Sequence, residues 1–141
     1  MQPLETSGRY QSVLVVDDDP VCLEIACIAL GRLGVTGMVT ALDGHAGIRS
    51  YERMKPKPDL VVCDLFMPDM DGFEFISALG DRNFAGALVL VTGGDLSMMQ
   101  MASQLAERSY GLTVLGAIPK PLLPETLAEV LGLPPPQAGP Q

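Results

Sequence analysis

One carboxylate stands in the apolar run Leu60-Val61-Val62-Cys63-Asp64-Leu65-Phe66-Met67. Buried there, it costs several kcal/mol in desolvation unless a cation, a metal or a reaction compensates it. Three other apolar runs end in suitable companions: Asp17 and Asp18 follow Val16, Thr92 follows Val91, and Lys120 comes soon after Ile118. A carboxylate can attack phosphorus to give an acyl phosphate, and Asp64 is the candidate nucleophile. The incoming phosphoryl group is dianionic, so the site must meet it with positive charge. Mg²⁺ supplies that charge, prefers oxygen ligands and is typically held by one or two carboxylates and several waters. Asp17 and Asp18 are the candidate ligands, with Asp64 as a further one. Lys120 can hold one phosphoryl oxygen as a point charge and Thr92 can donate its hydroxyl to another, because such transfers are catalysed mainly by positioning and electrostatics. An aspartate is ionised at neutral pH and needs no general base. The single histidine, His45, falls in a helical pattern that reads as away from these strand ends.

These residues need a scaffold that brings four chain positions together. The run 13–16 is continuously apolar, as expected of a strand covered on both faces. Asp19 offers a side-chain cap and Pro20 a first helical residue, opening a helix to about Leu33 that Gly34 ends. The pattern then predicts strands over 36–41, 59–63, 87–91 and 112–118, with helices over 44–54, 73–79, 95–110 and 124–131. Five strand and helix alternations without a hairpin signal imply one parallel sheet covered on both faces, an α/β three-layer sandwich. In such a sheet ligands bind beyond the carboxyl ends of the strands. Asp17, Asp18, Asp64 and Thr92 all fall at such ends. Residues 1–11 read as a flexible arm, 12–132 as the one domain, and 133–141 as a Pro-rich disordered tail or linker stub.

Composition narrows the class. A chain of 141 residues with 48% hydrophobic residues and a mean hydropathy of +0.28 is too apolar to be disordered. No window reaches the roughly 18 uninterrupted apolar residues of a membrane span. A net charge of −8 argues against a nucleic-acid backbone as direct partner and for Mg²⁺ or a basic protein surface. Cys22, Cys27 and Cys63 show no zinc-ligand spacing and fit a reducing cytoplasm. The first ten residues lack the apolar core of a signal peptide, so export is not indicated. The stretch 21–30 carries one charge, Glu24, and is apolar nearly all round. It reads either as a docking face for a kinase or second subunit, or as a helix whose small residues pack deep. Met98, Met99 and Met101 pose the same choice between partner surface and core.

The stretches 13–20, 58–72 and 89–94, together with Lys120-Pro121, occur in order on this five-fold pattern. They resemble the receiver domain of two-component response regulators, over about residues 12–132. The resemblance implies a (βα)5 flavodoxin-like, CheY-like fold with a parallel five-stranded sheet of order 2-1-3-4-5. It implies that Asp64 accepts a phosphoryl group from a sensor histidine kinase, a phosphotransfer protein or a small phosphodonor. Mg²⁺ would be held by Asp17, Asp18, Asp64 and the backbone carbonyl of Phe66, and a cis Lys120–Pro121 peptide would aim the lysine. Such a domain catalyses only its own phosphorylation and dephosphorylation, and switches a partner or fused output domain, in some cases through a homodimer.

Two departures from the family pattern stand out. Ala117 lies three residues before the lysine, where the family usually places a Tyr or Phe that reports phosphorylation. Phe66 and Gly94 occupy positions that often tune dephosphorylation, and neither can orient an attacking water, so a long-lived phosphoryl state is expected. The stretch 110–121 is similar to receivers fused to EAL-type cyclic di-GMP phosphodiesterases, although no EAL domain is present in this sequence.

Alternatives remain beside this reading. One is a pseudo-receiver that binds partners without being phosphorylated. Another is a haloacid-dehalogenase-like phosphatase using Asp17 and Asp19, against which only Glu125 and Glu129, both in a helical pattern, follow Lys120. Asp69, Asp71 and Gly72 resemble part of a calcium loop, but its twelfth position is Ala78.

Overall fold

The computed structural model of the chain describes residues 10–94 and 96–136. Most of the arm assigned to 1–11, the tail beyond 136 and the helix start at Asp95 lie outside the described residues. The elements are β1 (Val13–Val16), α1 (Pro20–Arg32), β2 (Met38–Ala41), α2 (Gly44–Arg53), β3 (Leu60–Asp64), α3 (Gly72–Asp81), β4 (Ala87–Thr92), α4 (Leu96–Gln104), β5 (Thr113–Pro119) and α5 (Pro124–Leu131). All neighbouring strands pair in parallel, in the order β2-β1-β3-β4-β5.

The strand sequences explain the two-sided core. Leu14, Val16, Val61, Cys63, Leu88 and Leu90 pack against α2, α3 and α4. Val13, Val15, Leu60, Val62, Val89 and Val91 pack on the other face against α1 and α5. This alternation is the period of two that a strand imposes, with apolar residues on both faces up to the carboxyl ends because both faces are covered. α1 fits close to the sheet through Leu23, Ala26, Ala29 and Leu30, while Val21 and Ile28 stay exposed. Its small residues do pack deep, and an apolar strip is left outside as well. Met99 fills the core; Met101 is exposed.

Aspartates set the starts of α1, α2 and α3 at the carboxyl end of the sheet. Asp19 accepts from the Val21 N–H, Asp43 from the Ala46 N–H, and Asp71 forms a reciprocal capping box with Glu74. Each cap satisfies a backbone donor that the first helical turn leaves free.

Several boundaries differ from the sequence expectations. β2 begins at Met38 rather than 36, and β3 and β4 each run one residue further, so Asp64 and Thr92 are strand residues. The segment after α4 continues as a wider π-helical turn, Leu105–Ser109. β5 contains a bulge: Leu88 pairs with Val114 and Val89 with Gly116, leaving Leu115 extra. Gly116 admits α5 at this point, since a Cβ there would lie 3.0 Å from a Val130 methyl. At the ends of the described chain, Gln11 and Ser12 donate their backbone N–H groups to Asp59, and Leu133 is buried beside α5. No helix among the described residues is long and apolar enough to cross a membrane.

Candidate functional site

The pairing register brings four strand ends to one place. Val16 lies beside Cys63, Asp64 beside Val91, and Thr92 beside Pro119, so Asp17, Asp64, Thr92 and Lys120 emerge on one level. Asp17, Asp64 and Thr92 are buried, whereas Asp18 is exposed. The Lys120 ammonium is 3.0 Å from Asp17 Oδ2 and 3.5 Å from Asp64 Oδ2. Its backbone N–H donates to the Thr92 carbonyl, and the Lys120–Pro121 peptide is cis as the resemblance implied. Asp17 is fixed from its other side, Oδ1 accepting from the Asp19 N–H at 2.9 Å. Thr92 Oγ1 accepts from the Gly94 N–H, which leaves its own proton available to a ligand.

Two buried carboxylates share one ammonium, and the site is correspondingly short of positive charge. Burial, then the charge of Asp17, pushes the Asp64 carboxyl up to about 6, against the pull of Lys120 and the Phe66 N–H. The sequence expectation of an ionised Asp64 at neutral pH survives by only about one pH unit. Burial alone would lower the Lys120 pKa, but its bond to Asp17 and the charge of Asp64 outweigh it and raise the value. One carboxylate oxygen from each of Asp17, Asp18 and Asp64 lies within 4.8 Å of the other two. An all-oxygen, anionic donor set with one exposed member suits a hard divalent cation that keeps water ligands, and so fits Mg²⁺.

The surroundings account for residues that sequence reasoning left open. Asp19 spends its carboxylate capping α1 and accepting from Cys22, and it is exposed, a poor arrangement for the acid/base of a phosphatase. Phe66 lies against Gly94: a Cβ on that glycine would meet the ring at 3.1 Å. Ala117 is exposed on β5.

His45 requires a correction. It is the second residue of α2, so it stands at the carboxyl end of the sheet, the same end as the site. Its ring Nδ1 is 2.6 Å from Asp69 Oδ2 in the loop after β3. Partial burial pushes the Asp69 carboxyl up, but hydrogen bonds from the His45 and Gly44 N–H groups and the His45 ring prevail, holding it down to about 2. Sequence reasoning saw Asp69 only as part of a failed calcium loop, and no local pattern ties it to a residue 24 positions away.

A parallel 2-1-3-4-5 sheet with an acidic trio, a threonine and a lysine at its carboxyl end defines a receiver-type signalling domain. The chain belongs to the response regulator receiver domain family, whose model matches residues 13–131. It is 38% identical over 109 residues to the probable transcriptional regulatory protein TcrX of Mycobacterium tuberculosis, covering 77% of this chain and 42% of that protein. It is 30% identical over 105 residues to the chemotaxis protein CheY of Treponema pallidum, covering 74% of this chain and 73% of that one. The crystal structure of Vibrio cholerae CheY4 superposes with a TM-score of 0.69 at 26% identity, covering 86% of this chain and 96% of that chain. The chain spans less than half the length of TcrX and of the positive alginate biosynthesis regulatory protein of Pseudomonas aeruginosa, 42% and 45% respectively.

Proposed function

We propose that this domain is switched by phosphorylation of Asp64 in a two-component pathway, with a sensor histidine kinase or phosphotransfer protein as donor. The observation that carries this reading is the convergence of Asp17, Asp18, Asp64, Thr92 and Lys120 at one end of the sheet, with the lysine bridging two carboxylates. An Asp64 oxygen attacks phosphorus, the bond from phosphorus to the donor's nitrogen or oxygen breaks, and the leaving group departs with the electron pair. Asp17, Asp18 and Asp64, with the Phe66 carbonyl, would hold Mg²⁺, which supplies charge neutralisation for the transferring group. Lys120 then leaves its carboxylate partners to hold a phosphoryl oxygen. Thr92 donates its hydroxyl to another.

Phe66 over Gly94 places an apolar ring where a polar side chain would orient water, which supports a slowly hydrolysed acyl phosphate. The output is a partner protein or a fused domain. The stretch 110–121 points to an EAL-type cyclic di-GMP phosphodiesterase as one such output, and a homodimer is a further form the signal can take. Ala117 means that the output is not carried by rotation of an aromatic ring at that position.

Incubation with acetyl phosphate and Mg²⁺ tests the reading by intact mass. One phosphoryl adduct is expected, absent with chelator and absent in Asp64→Asn, and persisting for many minutes after donor removal. An adduct on the variant, or none on the wild type, contradicts it.

A further inference from the structure

Asp69 sits in the loop between β3 and α3, five residues after Asp64. Its carboxylate is not spent on its own loop. Oδ1 accepts from the Gly44 N–H at 3.1 Å, and Oδ2 accepts from the His45 N–H at 3.1 Å and meets the His45 ring at 2.6 Å. The start of α2 already has its cap, because Asp43 accepts from the Ala46 N–H. A second carboxylate therefore reaches this helix end from another part of the chain, where the free N–H groups and the helix dipole favour it.

What the contact adds is a fixed loop. At its base the loop is closed by the Gly72 N–H donating to the Leu65 carbonyl at 2.7 Å. At its tip it lies so close to α2 that a Cβ on Gly44 would come within 2.6 Å of Met70 Cβ. On its first limb is Phe66, whose N–H bonds the Asp64 carboxylate and whose ring covers Gly94. Four residues thus separate the Asp64 carboxylate from the next one along the chain, and those residues have their far end pinned by Asp69.

We infer that Asp69 is a positioning residue for the Asp64 site: by tying the β3–α3 loop to the first turn of α2 it holds the Phe66 backbone against Asp64 in the geometry that takes up Mg²⁺. This rests on the reading of the acidic trio as a Mg²⁺ site. Groups that orient a metal's ligands without touching the ion typically change affinity by about ten- to a hundredfold when removed.

Isothermal titration of Mg²⁺ into the metal-free chain, paired with melting temperatures of the same samples, is the test. Asp69→Ala should weaken Mg²⁺ binding about tenfold. Asp69→Asn, which keeps an acceptor oxygen for the α2 N–H groups, should recover most of it, and His45→Ala, which leaves both backbone bonds, should stay near wild type. Hydrogen exchange at the Phe66 amide should accelerate in Asp69→Ala and not in His45→Ala. If Asp69→Ala melts lower but binds Mg²⁺ as the wild type does, Asp69 is a helix cap and the inference falls. If Asp69→Ala does not fold, a wild-type affinity in a folded Asp69→Leu or an unrescued loss in Asp69→Asn overturns it. A wild type that takes up no Mg²⁺ overturns the reading of the trio, and this inference with it.

Discussion

Asp64, the proposed phosphoacceptor, carries an electrostatic cost. Its folded pKa of about 6 lies above the ordinary carboxyl value of 3.8, because burial and Asp17 outweigh Lys120. The folded chain therefore holds a proton that the unfolded chain has released between those two values. The stability this contributes is fully present below about pH 4 and is lost as pH rises to about 6. Asp64→Asn has no such loss, so without metal the variant should become more stable than wild type across that window, by up to about 3 kcal/mol at pH 7. Urea unfolding of both chains in chelator at several pH values measures it; a difference that stays flat from pH 4 to 7 would contradict the origin given for the shift. Asp69 has the opposite sign: held down to about 2, it contributes stability present above the ordinary carboxyl pKa and lost as pH falls from about 4 to 2. The residue types at the site were legible in the sequence because a carboxylate in an apolar run is costly. The shared burden of Asp17 and Asp64 on one lysine was not, since it depends on distances of 3.0 and 3.5 Å between three separate strand ends.

Among the elements, each inner strand was legible because it is covered on both faces and so is apolar up to its carboxyl end, where β3 and β4 each gained one polar residue. β2 and β5, at the sheet edges, are only partly covered, and there the start of β2 moved by two residues and β5 gained a bulge. The bulge at Leu115 left no local signature, being set by the approach of α5 to Gly116. A similar close approach fixes the end of the α4 segment. Tyr110 lies over Gly80 of α3, where a Cβ would meet its ring at 2.5 Å, and its hydroxyl donates to Ser77 Oγ at 2.9 Å. Gly80→Ala gains helix propensity but must displace the tyrosine ring. The clash dominates, and a net destabilisation of about 1–3 kcal/mol is expected. Denaturant unfolding checks it, and a variant as stable as wild type would show that Tyr110 moves aside freely.

Over the whole molecule, charge is unevenly spread between the two ends of the sheet. Asp17, Asp18, Asp19, Asp43, Asp64, Asp69 and Asp71 lie at its carboxyl end with Lys120, while Arg53, Lys55, Lys57 and Arg82 lie at the other with Glu52, Asp59 and Asp81. Lys57 donates to the carbonyls of Tyr51 and Glu52, and Arg82 to that of Ala78, so the cations serve helix ends as the aspartates serve helix starts. On the proposed function, this acidic end would draw Mg²⁺ and a basic partner surface toward Asp64. The sequence alone made the convergence of five residues at that end readable, because parallel strands end together. Asp69 and His45 escaped it, since their tie crosses from one loop to another. On the proposed function Asp64, among all the carboxylates clustered there, takes the phosphoryl group. Borohydride reduces an acyl phosphate to the alcohol, so treating the phosphorylated chain and mapping its peptides by mass spectrometry marks the acceptor. Conversion of Asp64 to homoserine, with Asp17, Asp18 and Asp19 unchanged, is the expected result; homoserine at any of those three, with Asp64 intact, would show that Asp64 is not the acceptor.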